Sequence, residues 1–318
     1  MYYLGIDTSC YTTSIGIVDD KENIIEDKRI MLKVKPGNRG IRQSEAFFQH
    51  IKNLDELIKE LFSYIKPSEI KAIGISSKPR NNECSYMPVF NSGLHVGNIL
   101  MYTLNIPAYV LSHQENHIYA GLWSSKFYPN KPIAVYHISG GTTELLYVTM
   151  ENERLSIKII GGSSDLNAGQ FIDRVGVSMG LNFPCGAEMD MLSRNAKNVD
   201  IVIPVSVKGE YMSFSGPETY AQKLVEKGCL DKASLSKAIF ISIAKSIEET
   251  LINSKRNFYW NQVLLIGGVS SNTIIKEYLE NSHKLKAYNI NTIFANREYA
   301  TDNAIGGAIY ARKSYRGC

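Results

Sequence analysis

One pattern constrains this chain more than any other, because the chain carries it twice. Leu4-Gly5-Ile6 leads through Ser9-Cys10-Tyr11-Thr12-Thr13 to Ile15-Gly16-Ile17-Val18. Val135-Tyr136-His137-Ile138 leads through Ser139-Gly140-Gly141-Thr142-Thr143 to Leu145-Leu146-Tyr147-Val148. Each copy reads as a strand, a turn of small hydroxylated residues and a second strand. Each half then passes through helical stretches to a strand that ends in glycine and serines, Ile73-Gly74-Ile75-Ser76-Ser77 and Ile266-Gly267-Gly268-Val269-Ser270-Ser271. A repeat of this size fixes architecture early. It predicts two similar lobes, each opening with a small-residue hairpin, that face each other across a cleft.

The remaining pattern is that of an α/β protein. β-branched runs predict strands at 2–7, 14–18, 71–76, 107–112, 133–138, 144–149, 157–161, 263–267 and 291–295. Apolar periodicity predicts helices over Ser44–Tyr64, Asn116–Ser124, Gly169–Gly180, Ser234–Asn253 and Thr273–Asn281. Strands alternating with helices place the chain in the α/β class. Its 318 residues suffice for two lobes with cores of their own. No run approaches the roughly 18 apolar residues of a membrane span, and Met1 leads directly into the first predicted strand without a basic leader, so neither a membrane partner nor a cleaved signal is expected. Cys10, Cys84, Cys185, Cys229 and Cys318 are scattered, odd in number and without a CxxC pair. That spacing gives no disulfide framework or zinc ribbon and fits a reducing cytoplasm. A net charge of +4 permits contact with nucleic acid but fits a solvated lysine-rich surface as well.

The two turns have a chemical use. Serine, threonine and glycine expose backbone N–H groups and hydroxyls with little bulk before a ligand, which suits phosphate oxygens. Ser9, Thr12 and Thr13 in the first turn and Ser139, Gly140, Gly141 and Thr142 in the second are the candidates. Ordinary tight hairpins would carry the same residues, and no Walker-A or GxGxxG sequence accompanies them. A second constellation lies in Ser112-His113-Gln114-Glu115-Asn116-His117, where histidines at i and i+4 share one helix face and can share a metal ion. Glu115 does not follow the first histidine directly, so this is not the HExxH of a zinc protease. Asp302, before the small-residue run Ile305-Gly306-Gly307-Ala308, is a source for a third ligand, and equally good as a helix N-cap. Two imidazoles and one carboxylate with open positions suit iron, with zinc or manganese as alternatives.

Taken together, these motifs resemble the universal tRNA threonylcarbamoyl-transferase family, formerly called glycoprotease or O-sialoglycoprotein endopeptidase, over Leu4 to Ala311. Leu4 through Cys10 resembles the family's LGIETSC. His113 through His117 resembles its HMEGH motif, and Thr301-Asp302-Asn303 its CTDN; the resemblance makes His113, His117 and Asp302 the metal ligands. Ile138 through Thr143 resembles VSGGHTQ, a phosphate and adenylate contact. Asn167 through Arg174 resembles AAGEAFDK, which implies ribose contact by Asp173. Phe183 through Asp190 resembles YPGGPEID and adds Gly186 and Asp190. Ser213-Phe214-Ser215-Gly216 resembles FSFSG. Gly267 through Asn272 resembles GGVAAN, with Asn272 near the nucleotide.

The resemblance implies two actin-like (ribonuclease H-like) lobes of the actin/hexokinase ATPase superfamily, with a nucleotide and metal cleft between them. The expected boundaries are residues 1–108 plus 296–318 for an N-terminal lobe closed by the C-terminal helix, and 109–295 for the second. It also implies transfer of a threonylcarbamoyl group from threonylcarbamoyl-AMP to adenosine 37 of tRNAs that read ANN codons. The implied cofactors are one divalent metal and an adenine nucleotide or threonylcarbamoyl-AMP. The implied partners are tRNA, an inactive paralogue and a small ATPase; a homodimer is also permitted. Four departures from the family stand out. Tyr11 and Thr12 stand where it has two acidic residues, a polar segment at 77–92 replaces AGPGLxGALLVG, Glu218 replaces a lysine, and Thr142 replaces a histidine. The departures read as those of a divergent paralogue, and no catalytic residue is assigned. Carbamoyl transfer to a non-tRNA acceptor and a nucleotide-binding scaffold for a true transferase are the alternatives. The old protease label finds no evident nucleophile among these motifs.

Overall fold

A computed structural model describes residues 1–9, 11–34, 41–82, 84–152, 154–196, 201–228 and 231–315. Cys10, Glu83, Cys229 and Cys318 lie outside the described residues. The chain divides into two compact units, Met1–Tyr128 with Asn152–Arg154 and Thr301–Cys318, and Pro129–Glu151 with Leu155–Ala300.

The first unit contains β1 (Tyr2–Asp7), β2 (Thr12–Asp19), β3 (Ile24–Met31), α1 (Gln43–Leu61), β4 (Ile70–Lys78), α2 (Phe90–Leu104), β5 (Ala108–Ser112) and α3 (His113–Ser124). Its sheet has the order β3-β2-β1-β4-β5. The first three strands form an antiparallel meander, and β4 and β5 are added parallel to β1. Leu4, Ile6, Ile15 and Ile17 alternate along β1 and β2 onto the face where α1 supplies Leu54, Leu57 and Leu61. That alternation gives both strands an apolar face for α1, and their other face is buried as well.

The second unit contains β6 (Ile133–Ile138), β7 (Thr143–Glu151), β8 (Arg154–Ser163), α4 (Ala168–Ser178), α5 (Gly186–Arg194), β9 (Val207–Lys208), β10 (Tyr211–Met212), α6 (Ser215–Glu226), α7 (Lys232–Ser254), β11 (Gln262–Ile266), α8 (Thr273–Asn281), α9 (His283–Ala287) and β12 (Asn291–Phe294). Its sheet order is β12-β11-β6-β7-β8-β10-β9. The segment β8-β7-β6-β11-β12 repeats β3-β2-β1-β4-β5, so the duplication read in the sequence is a duplication of sheet topology. Pairing of Asp7 with Ser14 and of Ile138 with Thr143 closes the two equivalent hairpins. Tyr136, Phe171, Phe214, Phe240 and Trp260 fill the core of this unit.

Several features differ from the sequence expectation, both unit boundaries and some elements among them. The first unit runs to Tyr128 rather than 108, because β5 hydrogen-bonds to β4 from Ile73–Ala108 onward and carries α3 with it; the second unit runs to Ala300 rather than 295. β3 was not expected, since Glu26, Asp27, Lys28 and Arg29 interrupt its apolar pattern, as befits an edge strand. Nor was α2, whose Gly93 and Gly97 lower its helix propensity but let it lie close on the sheet.

The last helix, α10 (Ile305–Ser314), returns to the first unit and lies on the opposite face of its sheet at backbone contact. A Cβ at Gly5 would stand 1.9 Å from the Ala304 carbonyl oxygen, and one at Gly74 would stand 1.9 Å from that of Gly307. Backbone on both sides leaves nothing that can rotate away. Gly74→Ala is therefore expected to lower the unfolding free energy by about 3 kcal/mol. Gly141→Ala, whose Cβ would meet nothing within 4 Å, should stay within about 0.5 kcal/mol of the parent. Urea denaturation of the two variants checks both values.

Candidate metal centre and nucleotide-binding residues

α3 starts at His113, three residues earlier than its periodicity indicated, because Ser112 caps it. The Ser112 hydroxyl accepts from the Glu115 N–H at 3.2 Å, and the Glu115 carboxylate accepts from the Ser112 N–H at 2.7 Å. This reciprocal box fixes the first turn of the helix. It also occupies the Glu115 carboxylate, so that group is not a free base beside the histidines.

One turn apart on α3, the His113 and His117 rings meet edge-on with their Nε2 atoms 3.1 Å apart. Asp302, in the loop before α10, places Oδ1 at 3.6 Å from His113 Nε2 and 3.4 Å from His117 Nε2. The three ligand atoms lie within 4.8 Å of one another. Behind them Asp7, fully buried at the end of β1, holds Oδ2 2.9 Å from His113 Nδ1. A carboxylate on Nδ1 keeps a proton there and turns the Nε2 lone pair toward the centre.

The electrostatics fit a cation. Burial opposes a charged His113 ring, but the Asp7 and Asp302 carboxylates outweigh it and hold its pKa well above the ordinary histidine value. Burial would raise the Asp302 pKa; hydrogen bonds to both imidazoles outweigh it and hold the carboxyl well below the usual range. Positive charge is thus favoured at the point where two imidazole nitrogens and one carboxylate oxygen converge. That donor set fits a divalent iron, zinc or manganese ion. Asp7 stood in the sequence as one acidic residue at a strand end, with no spacing signal to mark it as the support of His113.

The two small-residue turns differ. In the first, the Ser9 N–H donates to Asp7 Oδ1 at 2.9 Å and the Thr12 N–H to the Ser9 carbonyl at 3.0 Å. Thr13 is buried, its hydroxyl 2.8 Å from His50 Nδ1 and accepting from Asn53 Nδ2 at 3.1 Å. Tyr11, at the first position of the family's acidic pair, is exposed. In the second turn the Ser139 hydroxyl accepts from the Gly141 and Thr142 N–H groups at 3.3 and 3.1 Å, which folds the turn tightly. Gly140 and Gly141 are exposed, with open space where a Cβ would be. The N-terminus of α4 abuts this turn, with the Gly169 N–H donating to the Ser139 carbonyl at 3.2 Å.

The other expected nucleotide residues also lie in the second unit. Asp173 is part-buried and accepts from the Cys185 N–H at 2.8 Å; burial raises its pKa. Gly186 opens α5 with free space around its Cα. Asp190 and Asn272 are buried together: Asn272 Nδ2 donates to Asp190 Oδ1 at 2.7 Å while Asn272 Oδ1 caps α8 through the Ile275 N–H at 3.0 Å. Arg194 completes the Asp190 environment at 2.5 Å. Glu218, where the family has a lysine, is buried and accepts from Gln222 Nε2 at 2.6 Å.

Residues 23–308 match the family model described as tRNA N6-adenosine threonylcarbamoyltransferase. A relative of that name from Thermus thermophilus is 28% identical over 99% of this chain and 93% of its own length. Among solved structures, the activator of the 2-hydroxyisocaproyl-CoA dehydratase from Clostridium difficile with bound ADPNP covers 98% of this chain and 94% of its own, at TM-score 0.54 and 16% identity. A ROK family glucokinase from Streptomyces griseus in complex with glucose and AMPPNP covers 99% and 100%, at TM-score 0.54 and 12% identity. Both structural likenesses bear on fold alone, and both agree with the expected actin-like ATPase architecture.

His113→Ala and Asp302→Ala should each abolish stoichiometric metal with the circular dichroism spectrum unchanged. Asp7→Asn should weaken metal about 10- to 100-fold; elemental analysis and chelator competition measure these losses. Asn272→Ala strips a donor from buried Asp190. It should cost about 2 kcal/mol of stability and weaken adenine-nucleotide binding, with metal content unaltered by the same elemental analysis.

Proposed function

The chain belongs to the tRNA N6-adenosine threonylcarbamoyltransferase family, and from that premise we propose that it moves a threonylcarbamoyl group from threonylcarbamoyl-AMP to N6 of adenosine 37 in tRNAs reading ANN codons, with a metal required. The observation that carries the reading is the convergence of His113, His117 and Asp302 on one point, with Asp7 oriented behind His113. A bound divalent ion, iron before zinc or manganese, supplies Lewis-acid polarisation of the carbamoyl carbonyl.

The remaining work falls to the protein's own groups. The open Gly140–Gly141 backbone, folded by the Ser139 hydroxyl, offers the adenylate phosphate space and close backbone approach. Thr142, Asp173, Gly186, Asp190 and Asn272 are assigned to the nucleotide on the family resemblance; Ser9, Thr12 and Thr13, expected from their residue types to line a phosphate turn, bond instead to Asp7, His50, Asn53 and one another and are left out of that assignment. In the transfer, adenosine N6 forms the new C–N bond, the bond from the carbamoyl carbon to the phosphate oxygen breaks, AMP leaves with the electron pair, and N6 gives up one proton. No base for that proton is assigned, since Tyr11 and Thr12 occupy the acidic positions. Partner subunits of the family kind, an inactive paralogue and a small ATPase, belong to this reading.

The same two residues favour a second reading: the nucleotide and metal are bound, but the acceptor is not tRNA, or the chain acts as a scaffold for a true transferase. Radiolabelled threonylcarbamoyl-AMP, unmodified tRNA reading ANN codons and this protein, with and without partner subunits, separate these cases. The proposal expects label in tRNA, and tRNA affinity that falls steeply with salt as counterions are released. Hydrolysis of the adenylate without labelled tRNA would move the reading to another acceptor, and neither transfer nor hydrolysis would leave the scaffold.

A further inference from the structure

Asn116 sits on α3 between the two histidines, with its side chain fully buried. A primary amide carries two N–H donors and one carbonyl acceptor, and here each finds a partner far away in sequence. Nδ2 donates to the Asn303 carbonyl at 2.5 Å and lies 3.3 Å from Asp7 Oδ2. Oδ1 accepts from the Gly307 N–H at 2.7 Å. A helix asparagine ordinarily finds its partners within its own turn; these partners are 187, 109 and 191 residues away.

Each partner adjoins a metal-centre group. Asn303 follows Asp302, so the bond to its carbonyl tethers the loop that presents the carboxylate. Asp7 Oδ2 is the oxygen that meets His113 Nδ1, and Asp7 Oδ1 is held on its other side by the Ser9 N–H. The Asn116 donor therefore restrains rotation of the carboxylate that orients His113. Gly307 lies in the first turn of α10, whose leading N–H groups lack helical partners; Asn116 Oδ1 satisfies one of them from α3 and fixes the helix end next to Asp302. The family motif HMEGH has glycine where this chain has Asn116, and glycine supplies none of these bonds.

We infer that Asn116 is a positioning residue of the metal centre, whose amide joins α3, the end of β1 and the loop before α10 so that His113, His117 and Asp302 hold one fixed spacing. The inference rests on the reading of those three residues as metal ligands.

Cobalt(II) is the probe, added to the full chain freed of metal. Chelator competition reports its affinity, and its visible absorption reports ligand geometry. Asn116→Ala and Asn116→Gly are expected to bind cobalt about 10- to 100-fold more weakly, with a changed band position or intensity and an unchanged circular dichroism spectrum. If Asn116→Ala does not fold, Asn116→Asp, of the same shape but with no donor, is read in its place against the same two criteria. Affinity and spectrum equal to the parent's would overturn the inference, even with reduced thermal stability, because Asn116 would then be a core residue only. A parent that binds no cobalt would overturn the ligand reading itself, and this inference with it.

Discussion

The first unit depends on how closely α10 lies on its sheet. The helix is seated where Gly5 and Gly74 leave no side chain, so that backbone meets backbone. A separation greater by the width of a methyl group would lift the loop before α10 away from α3. Asp302 would then leave the two imidazoles, whose own spacing is set within α3. The glycines are thus structural requirements of the candidate metal centre, to which they contribute no atom. Gly306 repeats the constraint against α3, where its Cβ would stand 1.9 Å from the Asn116 carbonyl oxygen.

A packing that tight carries polar groups into the interior. Asp7, Asn116, His117 and Asn303 are buried, and His113 nearly so. Clusters of this kind rarely add stability, because taking charges out of water costs several kcal/mol per ion, of about the same size as the attraction regained. Here the cost is met by close pairing: Asp7 with His113, Asp302 with both histidines, Asn116 with three segments. Hydrophobic residues of similar volume would hold the same elements together. What they could not do is favour positive charge at one point, which is the property the proposed metal site needs.

The legible part of this structure was the part that repeats or is local. The doubled strand–turn–strand pattern foretold both sheets, since a period of two and small turn residues are readable within a dozen positions. The i, i+4 spacing of His113 and His117 is likewise local to one helix face. Asp302 stood as a candidate third ligand and equally as a helix N-cap, and only the resemblance decided between them, because no local rule links a residue before the last helix to a helix in mid-chain. Asp7 and Asn116 were beyond reach for the same reason, as their significance lies in contacts more than 100 residues apart. α2 and the edge strand β3 were obscured by residues placed for packing and solubility, glycines in one and charges in the other, against local propensity.

Duplicated topology does not bring duplicated chemistry. The turn after β1 folds inward: Ser9 serves Asp7, and the Thr13 hydroxyl is held by His50 and Asn53. The turn after β6 folds on its own serine and leaves Gly140 and Gly141 open to solvent. The first turn thereby supports the carboxylate behind His113, and the second is the one with open backbone. Residue choice at equivalent positions explains the divergence. Tyr11 brings bulk where the second turn has Gly141, and a bulky turn cannot offer its backbone to a phosphate as closely. The proposed division of labour, metal in the first unit and nucleotide in the second, therefore rests on two hairpins that share a topology and differ in a handful of side chains.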